Sequence, residues 1–291
     1  MPKISVGDIC FYPERFGYKM SEKYTLGFIG VGNMGGALAR AAAKNTNSII
    51  LSGGRSGRAA ALSSELAVSF GSNADVAKNA EYIILGVKPQ IVFDVISEIS
   101  DILKERSEAG DNICIVSMTA GVEIKSIEAA LPAELPTIRI MPNTPVSIGK
   151  GVILYTANSA AQSFTAKFLE LFSKAGEFIE IKESLFNAGT ALSGCSPAFV
   201  DIFVDALADG GVRCGLTREL ALKLAAATVS GAAELISASG KHPDVLRDEV
   251  CSPGGSTIEG VSVLERGGFR AAVSDAVSAA ERKSAELGKK K

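Results

Sequence analysis

Two glycine-rich stretches carry the residue types and spacings best suited to chemistry. The first reads Gly27-Phe28-Ile29-Gly30-Val31-Gly32-Asn33-Met34-Gly35, which sets Gly-x-Gly-x-x-Gly between a short apolar run and a helical pattern. In that setting Gly30 permits a tight turn, Gly32 lets the backbone approach a pyrophosphate, and Gly35 allows the helix to pack closely on the strand. The free N–H groups at the helix start would hold the phosphates, so a dinucleotide is the expected ligand. Binders of NAD place an Asp or Glu at the end of the second strand to hold the ribose hydroxyls. The chain instead reads Ser52-Gly53-Gly54-Arg55-Ser56 there. An arginine and two hydroxyls suit a 2′-phosphate, which favours NADPH and leaves NADH possible, although Arg55 also fits as a solvated turn residue.

The second stretch is Ser252-Pro253-Gly254-Gly255-Ser256-Thr257-Ile258, leading into an apolar helical pattern. A turn of this composition at a helix start offers several free N–H groups and three hydroxyls, an anion pocket without a positive side chain. The same residues also describe a plain helix cap after a glycine-rich turn, and alone they do not decide between the two. Other candidates are weaker. His242 is the one histidine in the chain; ahead of Pro243 in a short connection, it reads as a surface or cap residue. A single histidine excludes a multi-histidine metal centre, and any mechanism that needs one histidine as acid and another as base. Lys88 falls at the carboxyl end of a strand, where ligands collect in open α/β sheets. Met34 reads equally as core or as pocket lining. Asp205 and Asp209, at i and i+4, read as a salt-bridged helix surface and not as an acid–base couple.

The elements that must position these residues follow from periodicity. Strands are expected at Leu26–Gly30, Ser48–Ser52, Tyr82–Val87, Ile113–Met118, Thr137–Met141, Val152–Thr156 and Glu177–Ile181, with helices between them at Asn33–Lys44, Arg58–Leu66, Pro89–Leu103, Glu123–Leu131 and Ala160–Lys174. Near-continuous apolar strands alternating with helices imply a doubly wound, Rossmann-type parallel sheet. After about Lys182 only helices are expected: Pro197–Arg213, Arg218–Ala238, Ser256–Arg266 and Phe269–Leu287. The predicted division is therefore α/β followed by all-helical: 20–183 as dinucleotide-binding domain and 184–291 as helical substrate and dimerisation domain. Residues 1–19 read as a leader or alternative start ahead of Met20. The Arg218–Ala238 stretch is apolar nearly all round, so it must be buried on most sides. A domain of about 100 residues supplies too little cover for it, and a homodimer sharing a helical core is the expected answer.

Composition bounds the partners. The 291 residues carry 30 Lys+Arg against 32 Asp+Glu, a formal charge of −2, so neither nucleic acid nor an anionic membrane is an expected partner. No stretch reaches about 18 uninterrupted apolar residues; Leu220 to Ala238 comes nearest and is broken by Lys223 and Glu234. Five widely spaced cysteines without a Cys-x-x-Cys pair suggest free thiols and a cytoplasmic protein.

Seven segments, in order, resemble pyrroline-5-carboxylate reductases: Gly27–Leu38 (GFIGVGNMGGAL), Gly86–Gln90 (GVKPQ), Ser117–Val122 (SMTAGV), Arg139–Pro145 (RIMPNTP), Ala191–Phe199 (ALSGCSPAF), Asp205–Leu216 (DALADGGVRCGL) and Ser252–Glu265 (SPGGSTIEGVSVLE). The resemblance implies NAD(P)H-dependent reduction of the cyclic imine 1-pyrroline-5-carboxylate to L-proline, the last step of proline synthesis. It implies that Ser252, Gly255, Ser256 and Thr257 contact the substrate carboxylate and imine nitrogen. It likewise implies that Asn33, Met34, Arg55, Ser56, Asn73, Val87, Lys88 and Pro89 contact the cofactor, with Asn143 and Thr144 near its nicotinamide end. Dimers through the helical domain, and rings of such dimers, are also implied. One departure is Ser193-Gly194-Cys195-Ser196-Pro197-Ala198, where the family commonly has SGSGPA.

Imine chemistry fits the shortage of histidine. Hydride delivery to a ketone builds an alkoxide and calls for a His or Lys acid. An imine nitrogen is more basic and can arrive protonated, so a hydroxyl such as Thr257 suffices to orient it. Three other readings were weighed. A reductase of a different cyclic imine would separate on substrate. A β-hydroxyacid dehydrogenase needs a lysine early in the second domain, and Asn187 to Asp209 holds no Lys or Arg. A non-catalytic NADP(H) sensor would bind cofactor without turnover.

Overall fold

The computed structural model describes residues 23–54 and 57–289. The expected leader, and Arg55 and Ser56 of the expected 2′-phosphate turn, lie outside the described residues. From Tyr24 the chain builds one eight-stranded sheet in the order β3-β2-β1-β4-β5-β6-β7-β8. The strands are β1 (Tyr24–Ile29), β2 (Ile49–Ser52), β3 (Ser69–Phe70), β4 (Ala80–Leu85), β5 (Cys114–Ser117), β6 (Thr137–Pro142), β7 (Gly151–Ala157) and β8 (Gly176–Glu180). The helices between them are α1 (Asn33–Ala42), α2 (Arg58–Leu66), α3 (Asn73–Asn79), α4 (Val92–Glu108), α5 (Ile124–Ala130) and α6 (Gln162–Leu171).

Alternation along each strand divides the core into two layers. Leu26 and Phe28 face a cluster with Leu38, Tyr82, Phe168 and Phe172. Ile29, Ile83 and Leu85 face the opposite cluster with Val76, Ile96, Ile99 and Ile127. The Tyr82 hydroxyl, inside the first layer, donates to the carbonyl of Phe164 at 2.8 Å, which answers the one polar atom that this ring brings inside.

Strands β1 to β6 are mutually parallel, as expected. The last two run the other way: β7 is antiparallel to β6, and β8 is parallel to β7. The cause is connection length. Only a short 3₁₀ turn (Thr144–Ile148) separates β6 from β7, too little for a crossover, whereas α6 carries the chain from β7 to a parallel β8. Two short elements escaped the periodicity. Strand β3 is two residues long, and α3 is seven residues held by a capping box in which Ser72 and Asp75 bond each other's backbone N–H.

Beyond β8 no strand occurs among the described residues. A turn at Glu183–Leu185 leads into α7 (Phe186–Gly189), a π-helical turn (Thr190–Cys195), and then α8 (Ser196–Arg213), α9 (Arg218–Ser239), α10 (Pro243–Glu249), α11 (Ser256–Arg266) and α12 (Phe269–Lys289). Helices α8 and α9 pack as a pair on small residues, with Ala208, Ala221 and Ala225 buried and Val204 against them. Arg218 bridges the Asp205 and Asp209 carboxylates at 3.8 and 2.5 Å, so these acids form the ion-paired surface expected of them. His242 caps α10, its Nδ1 accepting from the Asp244 N–H at 3.2 Å. The rest of the pair is open: Ile202, Leu220, Leu222, Leu224, Leu235 and Ile236 are all exposed. By length and composition, Glu183–Arg213 and Arg218–Ser239 would suffice to cross a membrane, each with mean hydropathy 1.4.

Candidate active site

Strand order reverses between β1 and β4, the point at which open α/β sheets hold ligands beyond the carboxyl ends of their strands. Register brings the three relevant strand ends level, with Ile29 opposite both Ser52 of β2 and Leu85 of β4. Gly30 follows at φ +96°, a conformation that a side chain rarely tolerates. A Cβ there would meet the Gly86 carbonyl carbon and Val87 Cγ1, each at 2.8 Å. A Cβ on Gly35 would overlap the Gly30 carbonyl oxygen, so Gly35 lets α1 sit directly against the strand end.

Gly32 differs from both. It is the N-cap of α1 at an ordinary φ of −63°, and a Cβ on it would meet nothing within 4 Å. No side chain caps α1 and no acid lies in its first turn, so the N–H groups of exposed Asn33 and half-buried Met34 begin the helix without a protein anion. That is an open cradle with the positive end of a helix dipole facing it, and it fits a pyrophosphate.

The remaining expected cofactor residues fall along the same edge. Asn73 opens α3 beside the end of β2: the buried Ser52 hydroxyl donates to Asn73 Oδ1, and Asn73 Nδ2 donates to Glu98 Oε2 at 2.8 Å. Ser52 and Glu98, which carried no assignment from sequence, thus fix the Asn73 amide. Val87 packs on Gly30, exposed Lys88 caps a 3₁₀ turn, and Pro89 is its first residue. Thr144 is exposed just past β6. Asn143 is buried, and its amide is engaged within the protein: Oδ1 accepts from the Val152 N–H at 2.9 Å and Nδ2 donates to the Ser193 carbonyl at 3.0 Å. It therefore ties the end of β6 to β7 and to the π-helical turn.

The Ser252–Thr257 segment lies in the helical part. The Gly255 N–H donates to the Ser252 carbonyl at 3.0 Å, closing a turn with Pro253 second and Gly254, at φ +66°, third. Proline followed by a glycine at positive φ is the combination of a type II turn. Gly255 is the N-cap of α11 and makes no side-chain cap, while Ser252, Ser256 and Thr257 are exposed around it. Free N–H groups and hydroxyls are thus presented together, with no cation among them. Among the described residues no hydrogen bond or ion pair joins this turn to the sheet, so within one chain the two halves of the expected site stand apart.

One further group was missed from sequence. Arg139, inside β6, has a side chain only 4% exposed; its Nη1 donates to Glu183 Oε1 at 2.5 Å and its Cζ lies 4.2 Å over the Phe186 ring. The signal available was an arginine in an otherwise apolar strand, which demands a buried partner.

Comparisons with known proteins bear on both halves. Residues 183–287 match the family model described as pyrroline-5-carboxylate reductase dimerisation, and residues 25–121 match one described as NADP oxidoreductase, coenzyme F420-dependent. The pyrroline-5-carboxylate reductase of Pisum sativum is 39% identical over 92% of this chain and 97% of its own length. That of Escherichia coli is 38% identical over 91% of this chain and 98% of its own. The chain belongs to the pyrroline-5-carboxylate reductase family. A crystal structure of the Plasmodium falciparum pyrroline carboxylate reductase with NADP bound superposes with a TM-score of 0.79 at 32% identity, covering 92% of this chain and 99% of that one. The Coxiella burnetii reductase gives 0.83 at 30% identity, covering 91% and 99%. The helical segment with so much exposed apolar surface is the one that corresponds to the dimerisation region of this reductase family.

Proposed function

We propose that this chain is an NAD(P)H-dependent reductase that converts 1-pyrroline-5-carboxylate to L-proline, the closing step of proline biosynthesis. The observation that carries this is near full-length identity to curated pyrroline-5-carboxylate reductases, 39% over 92% of the chain for the pea protein. The bound nicotinamide cofactor supplies a hydride to the imine carbon. NADPH is the proposed physiological form, with NADH as an alternative; the acid-free end of β2 at Ser52 supports this preference.

Each residue group has a proposed task. The first-turn N–H groups of α1 hold the pyrophosphate, and Gly32 leaves it room to approach. Gly30, Gly35, Val87, Lys88 and Pro89 shape the strand-end crevice, and Asn73 is held toward it by Ser52 and Glu98. Arg55 and Ser56 remain the proposed 2′-phosphate contacts, and Thr144 borders the nicotinamide end, with Asn143 bracing that segment. The N–H groups at the start of α11, with Ser252, Gly255 and Ser256, hold the substrate carboxylate. The Thr257 hydroxyl orients the imine nitrogen, and holding the two reacting centres together is worth several kcal/mol.

The working unit proposed is a homodimer through residues 184–291, the 20–183 part binding the nucleotide; a ring of dimers is the larger assembly expected. Exposed leucines on α8 and α9 then close against a second copy and not against lipid or nucleic acid, which Arg218, Lys223 and Glu234 on α9 support. Cys114, Cys195, Cys214 and Cys251 are free, in keeping with a cytoplasmic location. The test is NADPH oxidation followed by absorbance with pyrroline-5-carboxylate and with pyrroline-2-carboxylate. Turnover of the first at the higher kcat/KM supports the reading. A preference for the second assigns another imine, and cofactor binding with no turnover of either assigns a sensor.

A further inference from the structure

Residues 139, 141 and 143 lie two apart along β6 and its end, so their side chains share one face. Each reaches the same stretch of chain. Arg139 pairs with Glu183 and stacks on Phe186. Met141 packs with Phe186 and Leu154 in a small cluster of its own. Asn143 holds the Ser193 carbonyl. The opposite face of the strand, Ile138 and Ile140, belongs to the main core. One face of β6 is thus devoted to gripping the entry into the helical part.

Glu183 is shared more widely. The Oε1 atom that receives Arg139 also accepts the N–H of Ile124 at 3.0 Å, the first residue of α5, whose own N-cap residue supplies no side-chain bond. The loop running into α5 carries Met118, whose sulfur would lie 3.3 Å from a Cβ on Gly86, at the cofactor crevice. On the helical side, Asn187 Oδ1 accepts from Ser284 Oγ of α12 at 3.1 Å. A single carboxylate therefore joins the crevice loop, strand β6 and the start of the helices. Bidentate or stacked guanidinium contacts are ones that lysine does not reproduce.

Resting on the reductase reading above, we propose that Arg139 is a positioning residue for hydride transfer. Through Glu183 and Phe186 it sets the angle at which the helical part leaves the nucleotide sheet, and with it the placing of the substrate turn against the cofactor. It touches neither reactant.

The experiment compares the full-length wild type with Arg139→Lys and with the double variant Arg139→Met/Glu183→Leu, which removes both buried charges together and so leaves neither unpaired. Thermal melting, NADPH affinity by fluorescence, and kcat with KM for both substrates are read for each. Expected are melting and NADPH affinity within about twofold of wild type in the double variant, with kcat at least tenfold lower in both variants. A double variant that folds and turns over within twofold of wild type overturns the role. So does a loss of NADPH affinity in step with kcat, which would make the pair a support of the nucleotide fold alone. A wild type that binds NADPH but turns over no pyrroline-5-carboxylate overturns the activity itself, and this role with it.

Discussion

Gly30 and Gly86 meet backbone to backbone where β1 and β4 end: a Cβ on Gly30 would lie 2.8 Å from the Gly86 carbonyl carbon, and one on Gly86 would overlap the Gly30 carbonyl oxygen. Neither residue can carry a side chain without parting the two strand ends that frame the crevice. Gly32, two residues on, has no such neighbour. The two glycines of the fingerprint therefore answer to different demands, Gly30 to the protein and Gly32 to the ligand.

Substitution separates them. Gly32→Ala should melt like the wild type, because its φ is ordinary and its Cβ meets nothing within 4 Å, yet NADPH should bind at least tenfold more weakly, about 1.4 kcal/mol, because the methyl occupies the pyrophosphate approach. Gly30→Ala should lose affinity and stability together, since a side chain at φ +96° adds strain of order 1–3 kcal/mol to the clash. Calorimetry of binding and thermal melting check both; equal melting losses in the two variants would refute the division.

Thr257→Ala should lower kcat about tenfold or more, the scale of one hydrogen bond made in the transition state. The residue is exposed in the first turn of α11, and Gly255, not Thr257, is the N-cap. Melting should therefore hardly change. Steady-state kinetics with NADPH saturating decide it: an unchanged kcat removes Thr257 from the mechanism.

The acid side of the stability profile should depend on Asp75. Hydrogen bonds from the Ser72 hydroxyl and from the Ser72 backbone hold its carboxyl below the usual 3.8. A group whose pKa is depressed in the folded state stabilises that state above its unfolded pKa and ceases to do so as pH falls through the folded one. The melting gap between wild type and Asp75→Asn should thus be widest near about pH 6 and close below about pH 4. Because this capping box starts the helix that presents Asn73, the variant should also bind NADPH less tightly. A gap constant with pH would refute the assignment.

What could be read in the sequence, and what could not, divides on range. Phe28, Ile84 and Val116 sit in long apolar runs, so their strands announced themselves, and the Gly30–Gly35 spacing marked the crevice because turn chemistry is local. Helix α3 stayed hidden because seven residues give too little periodicity; its only signal was Ser72 followed three residues on by Asp75. The reversal of β7 was a matter of connection length, legible in principle from the few residues after Met141. Asn143 read as a nicotinamide-end residue from its motif, but its bonds to Val152 and to Ser193, fifty residues on, exist only once the fold has closed. Arg139 and Glu183 are the same case, a pair whose meaning lies in tertiary contact. The two halves of the site also remain apart within one chain, which no single-chain pattern could have joined.

That separation makes activity depend on association. Leu224 and Leu235 on α9 are 49% and 54% exposed, and burying a leucine fully is worth roughly 1.5–3 kcal/mol. Charges at both positions would have to be desolvated against the partner, at a cost exceeding that gain. Leu224→Glu/Leu235→Glu should therefore sediment as a monomer where the wild type sediments as a dimer or larger. Its sheet, with the Gly30 crevice intact, should still bind NADPH, because α9 contributes nothing to that edge. Turnover of pyrroline-5-carboxylate should fall by two orders of magnitude or more, as the α11 turn loses the neighbouring subunit that completes the site. A monomeric variant with wild-type kcat/KM would show that one chain suffices.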